Sequence, residues 1–530
     1  MSTNSIRARF ANRKASATSD VWTPSFNPWL IAASVMLATF MEVLDTSVAN
    51  VALPHIAGNL SATTEESTWV LTSYLVSNAI ILPATNWLGR YFGRKRFLII
   101  CIIMFTLASA LCGAAASLGM LIVARILQGA GGGALQPIAQ AVLMESFPPE
   151  KRGSAMAVFG MGVVVAPIIG PTLGGWITDN YSWRWIFYIN IPVGILAVLM
   201  ANTFIEDPPY IRDQRPGRID RLGFALMAIG LGTLQLVLDK GQEEDWFNSS
   251  LITAAVIFAT VTLLAFVIWE LCTKEPIVDL RVLKNRNFTV GTSIMTALGI
   301  VLYGTIALLP LFLQTLLGYP ALQSGMAVSP RGFGSIASMI IVGRLVAKID
   351  GRYLVLFGFL LLGYATYRFS DINLMVTSAS VTWPNIISGF AMGFIFVPLT
   401  TMAMGTLPNE QMGNASGVFN LMRNTGGSIG IAAMTTMLSR GSQIHQAAMI
   451  HNINPYDPEV QQRVQQLGHA LPGSGTTQAY GIIYGMVERQ SMLLSYIDNF
   501  RMLAFVCVIC VPAVFLFKRV RAKKGAVAMH

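Results

Sequence analysis

Apolar runs of about 20 residues recur along the whole sequence, separated by short polar segments. As a helix, each run is long enough to cross a hydrocarbon core of about 30 Å. The pattern predicts fourteen spans, at residues 29–51, 68–88, 97–116, 120–144, 154–177, 185–204, 221–238, 251–271, 288–316, 323–346, 353–369, 381–405, 414–437 and 499–518. The first run is too long for a signal-peptide core. No small-residue cleavage site with a soluble domain follows it, so it reads as a retained span.

Composition agrees. Of 530 residues, 54% are hydrophobic and only 12% charged, with mean hydropathy +0.58. A soluble chain carries about 25% charge. The expected fold class is therefore an all-α polytopic membrane protein.

Charge then orients the spans. Arg7, Arg9, Arg13 and Lys14 precede the first span, and Arg90, Arg94, Lys95 and Arg96 follow the second. Lys151 and Arg152, then Arg281, Lys284 and Arg286, then Arg344, Lys348 and Arg352 follow spans four, eight and ten. Lys518, Arg519, Arg521, Lys523 and Lys524 close the chain. With fourteen spans all of these share one side, which the positive-inside rule makes cytoplasmic. The opposite loops carry Glu65 and Glu66, then Glu243, Glu244 and Asp245. The net charge of +10 thus reads as topology and anionic-lipid contact rather than a nucleic-acid surface.

Echoes between distant loops suggest duplication. WLGRYFGRKR follows the second span and GRLVAKIDGR ends the tenth; GPTLGG lies in the fifth and GGSIG in the thirteenth. Six helices, an inserted pair and six more give that spacing, as in the parallel six-helix repeats of transporters. The expected units are a cytoplasmic tail at 1–27, an N-terminal six-helix half at 28–205, the inserted pair with its flanking loops at 206–287, a C-terminal six-helix half at 288–520 and a tail at 521–530. The second half contains one long segment outside the membrane, 438–498. There Asp457-Pro458-Glu459 supplies a helix start, and a second, amphipathic helix over about 477–497 leads into the last span. This segment reads either as a surface lid or as a partner-docking element.

The chemistry sits where charge is expensive. Glu42 and Asp45 interrupt the first span three residues apart, so they share a helix face. That face looks at the protein interior or a water-filled cavity. A carboxylate drawn out of water can load and release a proton, and two neighbours titrate as one unit. The alternative is a fixed ion pair that locks helices. Arg125, at a similar depth in the fourth span, is the expected partner. With Arg125, the residues Gln128, Gly132, Gln136 and Gln140 form a polar stripe over about a third of that helix. The glutamines fit either a substrate cavity or plain hydrogen bonding between helices. Tyr303, Gln314 and Arg423 in the second half are further cavity candidates. Pro167, Gly170, Pro171, Gly174 and Gly175 would loosen or bend the fifth span, as a hinge or as a static kink.

Other patterns carry less. Gly129 to Ala134 matches G-x-G-x-x-A but has no preceding strand, so it is no dinucleotide site. Cys507-x-x-Cys510 lies within a span without a second metal pair, and the five cysteines read as packing residues. His445, His451 and His469 share the long segment without a ligand spacing. No cofactor, metal or catalytic residue is expected, and the chain is not read as an enzyme.

Arg125-x-x-Gln128-Gly129 resembles the fourth-helix motif of major facilitator transporters, and Gly170-Pro171-x-x-Gly174-Gly175 their antiporter motif in the fifth helix. Leu44-Asp45-Thr46 through Asn50-Val51-Ala52-Leu53-Pro54 resembles the first-helix motif of the fourteen-helix drug:proton antiporters. With WRWIFYINIPVG (183–194) and PIVDLRVLKNRNFTVG (276–291), the likeness to the EmrB-type multidrug efflux group covers about residues 28–520. The resemblance implies a major facilitator fold in a bacterial inner membrane. It implies proton-driven export of hydrophobic toxic compounds, a periplasmic adaptor of the EmrA type and an outer-membrane channel of the TolC type. By position, Asp45 would carry the first-helix role and Arg125 the coupling role, with Gly170 and Pro171 at the hinge. The cytoplasmic loop motif departs from the family pattern: Asn86 replaces a glycine and Arg90 an acid, ahead of Gly93, Arg94 and Lys95. The latch that the acid normally forms is therefore in question. Glu42 is an addition to the first-helix motif. The rival readings are a dedicated exporter of one metabolite or siderophore, and a passive channel.

Overall fold

A computed structural model describes residues 24–518, except 149, 209–219, 452, 455 and 471–475. The cations Arg7, Arg9, Arg13, Lys14, Arg519, Arg521, Lys523 and Lys524 lie outside the described residues. The described residues form helices and connecting turns, with no strand among them.

Several helices start at a side-chain cap. Asn27 Oδ1 accepts from Trp29 N at 3.0 Å, with Pro28 opening α1 (Pro28–Asn59). Thr63 and Glu66 close a capping box on α2 (Thr64–Phe92). Next come α3 (Arg94–Gly113), α4 (Leu118–Gly132), α5 (Leu135–Ser146), α6 (Arg152–Asn180), α7 (Trp185–Tyr188) and α8 (Asn190–Phe204). The pair α9 (Arg221–Lys240) and α10 (Ser250–Cys272) follows. Then come α11 (Arg286–Thr315), α12 (Ala321–Val328), α13 (Pro330–Leu345), α14 (Gly351–Arg368), α15 (Ser378–Met404), α16 (Met412–His451), α17 (Pro458–Ala470) and α18 (Thr476–Ala513).

By length and composition, twelve stretches among the described residues can cross a membrane. The helices α2 and α16 are long enough but less apolar, so they fall outside that set. Their polarity has a place to go: α16 packs against α2, α5, α11 and α18, and its buried face carries Asn414, Ser416, Asn420 and Arg423. A helix enclosed by protein needs no continuous apolar circumference.

Two predicted elements differ in detail. The fourth span is broken into α4 and α5 at Gly133 and Ala134. Pro137 has no N–H to return to Gly133, and the glycines before it hold the helix weakly. Those glycines are there for close packing: a Cβ on Gly131 would lie 2.8 Å from Phe105 N, and one on Gly133 2.6 Å from Asn78 O. In the long segment, α16 runs on past 437 to His451, and α18 continues from Thr476 through the last predicted span. The expected start at Asp457-Pro458 is present, with Glu459 N donating to Asp457 Oδ1 at 2.9 Å. Beyond residue 437, α16 and α18 stay paired through His445 and Asp498 at 2.8 Å and Gln446 and Tyr484 at 3.1 Å.

Two helical groups, α1–α8 and α11–α18, meet along the seams α6/α13, α2/α16 and α5/α16. Helix α9 lies on both. Its Asp239 accepts from Thr72, its Lys240 Nζ donates to Thr68 Oγ1 at 2.6 Å, and its Gln235 accepts from Ser428 of α16 at 3.0 Å.

Candidate coupling site

On α1, Glu42 and Asp45 lie one turn apart, and both are buried, at 5% and 1% exposure. They have different partners. Asp45 is saturated within the first group. Its Oδ2 accepts from Arg125 Nη1 at 2.6 Å, and its Oδ1 accepts from Gln128 Nε2 at 2.9 Å and Asn190 Nδ2 at 2.7 Å. Arg125 is held in turn: Nε donates to Val70 O at 3.0 Å, and Nη1 also donates to Gln128 Oε1 at 2.7 Å. Its guanidinium lies 4.3 Å from the centre of the Tyr74 ring. A buried charge pair is tolerable when its remaining hydrogen-bond positions are filled, as nearly all are here.

Glu42 has no cation in direct contact among the described residues. Its Oε1 accepts from the Tyr74 hydroxyl at 3.2 Å and Asn78 Nδ2 at 3.3 Å, and its Oε2 from Gln136 Nε2 at 2.6 Å. The other end of the Gln136 amide accepts from Arg423 Nη2 on α16. Gln136 therefore bridges a carboxylate of the first group to a guanidinium of the second. Along the same seam Gln140 Oε1 accepts from Asn420 Nδ2, and Pro137 O from Ser416 Oγ, both at 2.6 Å. Tyr74 joins the two carboxylate networks, its hydroxyl on Glu42 and its ring beneath Arg125. Gly132 leaves the room this needs, since a Cβ there would lie 2.6 Å from the Tyr74 hydroxyl and 3.3 Å from Glu42 Cγ.

The sequence reading treats Glu42 and Asp45 as one unit facing Arg125. The structure gives Arg125 and Gln128 to Asp45, and Gln136 to Glu42. The break before α5 turns Gln136 and Gln140 toward α16 rather than leaving them in one stripe with Arg125. Arg423 joins this cluster, and Tyr303 stands beside it: a Cβ on Gly427, one turn beyond Arg423, would lie 2.9 Å from Tyr303 Cγ. Gln314 is elsewhere. It is exposed near the end of α11, with its amide nitrogen 3.5 Å from Ser324 Oγ. Tyr74, Asn78, Asn190 and Asn420 are absent from the sequence-derived set. Each is a polar side chain within an apolar run, the same signal that marks the glutamines.

In α6, Gly170 packs on Ser47 and Gly174 on Val48 of α1, while a Cβ on Gly175 would meet nothing within 4 Å. Pro171 cannot donate to Pro167 O, and Ser47 Oγ fills that carbonyl at 3.0 Å. The helix is continuous through both prolines. At the α2/α3 turn, Gly93 adopts φ +85°, a conformation suited to glycine. Arg94 forms a buried ion pair with Glu145, and Lys95 N donates to Asp207 Oδ1 at 2.8 Å. The acid at this turn thus comes from Asp207, beyond α8, while Arg90 stays half-buried at the end of α2. Gly413, at the start of α16, rests against Asn86 and the Arg94 guanidinium, which ties this corner to the second group.

The Major Facilitator Superfamily model matches residues 35–431. The multidrug export protein EmrB of Escherichia coli K12 is 39% identical over 492 residues, 92% of this chain and 95% of that one. The fatty acid resistance protein FarB of Neisseria gonorrhoeae is 39% identical over 92% of this chain and 96% of its own length. The crystal structure of the human organic anion transporter MFSD10 (TETRAN) overlays with a TM-score of 0.59 at 12% identity, covering 93% of this chain and all of that one, a likeness of fold. With its many apolar helices, this is a multi-pass membrane protein. The chain belongs to the Major Facilitator Superfamily and, within it, to the EmrB group.

Proposed function

We propose that the protein exports hydrophobic toxic compounds in exchange for protons, by rocking of two six-helix halves, 28–205 and 288–520, about a central cavity. In this reading α2 and α16 also cross the membrane. That gives fourteen spans with an inserted pair in 206–287, both termini cytoplasmic, and a bacterial inner membrane as the site of action. The names of the relatives support multidrug export, and the cationic loops support the orientation.

The observation that carries the coupling is the Glu42–Gln136–Arg423 bridge. Glu42 is the carboxyl whose hydrogen bonds reach the moving partner. Protonation would remove the charge that Gln136 relays to Arg423, weaken the seam and let the halves part. Deprotonation on the other side would restore it. Asp45 and Arg125 would hold the first half rigid around this event. One proton entering down 100 mV supplies about 2.3 kcal/mol, a roughly 50-fold drug gradient. Gln128, Gln140 and Tyr303 are proposed to line the substrate path, and Pro167, Gly170 and Pro171 to give α6 its smooth, bendable face on α1. An EmrA-type adaptor and a TolC-type channel would complete the route, with the α16–α18 extension as the docking element.

Everted vesicles with an acidic interior test the reading. Uptake of several unrelated dyes that collapses when the gradient is dissipated supports it. Uptake that is indifferent to the gradient points to a passive channel, and uptake of none by a well-expressed protein points to a narrow exporter.

A further inference from the structure

The second helical group holds a buried cation with no ion-pair partner among the described residues. Arg331, at the start of α13, is 1% exposed, and Nε, Nη1 and Nη2 all lack a hydrogen-bond partner among the described residues. Helices α11 to α16 contain no Asp or Glu. The only acid on α6, which packs on α13 from the first group, is Asp179, about two turns beyond Thr172, and it is exposed and faces His55. Arg423, the other buried guanidinium here, is linked to Glu42 through Gln136; Arg331 has no such link.

Polar side chains tie the helices together around this turn. Ser335 Oγ donates to Arg331 O and Gly389 O, each at 3.1 Å, which ties α13 to α15 at this level. Asn385 of α15 donates to Ala327 O at 3.4 Å, one turn away, while its Oδ1 has no partner. Ser388, three residues on and on the same face, has an unpartnered buried hydroxyl. Gly332 faces Ile168 and Ser329 bonds Thr172, so the junction borders the α6 seam. A guanidinium out of water with no counter-charge is costly, and its planar fork suits a carboxylate.

We propose that Arg331 binds the anionic head of an amphiphilic substrate, with the Ser388 hydroxyl as a second donor. The site complements the carboxylates of the first half: protons are handled on one side of the seam and substrate anions on the other. Binding itself is independent of the export reading; only the passage of the bound anion across the membrane rests on it.

The test is equilibrium binding of two radiolabelled probes, decanoate and decylammonium, to the purified full chain without a gradient. They share a tail and differ in charge. Arg331→Gln is expected to bind decanoate about tenfold more weakly with decylammonium unchanged, and Ser388→Ala to weaken decanoate by about threefold. Arg331→Lys should recover part of the loss. Wild type that binds no decanoate, Arg331→Gln that binds it normally, or equal losses for both probes would each overturn the assignment. If Arg331→Gln does not fold, Ser388→Ala decides, and unchanged decanoate binding overturns it. Because no gradient is applied, failure here leaves proton-driven dye uptake untouched as a separate question.

Discussion

Arg423, on α16, donates a hydrogen bond across the molecule to Gln136 on α5. The two residues are 287 apart in sequence and belong to different helical groups. The other end of the same amide holds Glu42. A change at one carboxyl is therefore felt directly at the boundary between the groups.

Gln136→Leu keeps the volume and removes both hydrogen bonds. Two buried charged groups lose a partner, so stability should fall by about 3 kcal/mol or more. Export should fall further than export by Gln128→Leu, whose amide serves only the first group. Thermal unfolding and vesicle uptake, measured side by side, separate the two effects.

Asp45→Asn leaves Arg125 buried without its counter-charge, at a cost of about 3–5 kcal/mol. Glu42→Gln strands no contacting cation and should cost about 1–3 kcal/mol through mismatched hydrogen bonds. The order of melting temperatures is thus wild type, then Glu42→Gln, then Asp45→Asn. The reverse order would mean that the Asp45–Arg125 pair contributes little.

Gly132→Ala puts a methyl group against the Tyr74 hydroxyl. Overpacking of this kind costs about 1–3 kcal/mol. Tyr74→Phe removes the clashing oxygen, so the double variant should regain part of the lost stability. Additive losses would show that the crowding lies elsewhere.

Ser47→Ala leaves Pro167 O without its donor and should cost about 1 kcal/mol. Restoring a helical N–H at the next turn with Pro171→Ala should make the serine dispensable. A double-variant thermal melt reads this coupling.

Much of this was legible in the sequence, for a physical reason. Apolar runs of membrane length are hard to mistake, and charged or amide side chains within them stand out because lipid makes them costly. Glu42, Asp45, Arg125, the glutamines and Arg423 all carry that mark. Similar depth in the membrane also points to the pairing of Asp45 with Arg125; what the sequence could not give is the rest of the pairing. A break at Gly133 re-aims Gln136 and Gln140, and only the packed helices separate the partners of Glu42 from those of Asp45. The polar faces of α2 and α16 also depend on what encloses them. Gln314 carries the same mark as Gln136, yet it lies at a helix end among exposed residues. Arg331 shares its span with Arg344 and is absent from the sequence-derived set; that its guanidinium finds no partner among the described residues is a fact of three-dimensional packing.

The central claim is that Glu42 exchanges the proton that accompanies substrate. Proton release into weakly buffered solution, when a transported dye binds the detergent-purified protein, tests it most directly. Wild type and a folded Asp45→Asn should release protons, and Glu42→Gln should release none while still binding dye. Undiminished release from Glu42→Gln, with release lost in Asp45→Asn, would move the exchanging group to Asp45 and contradict the account.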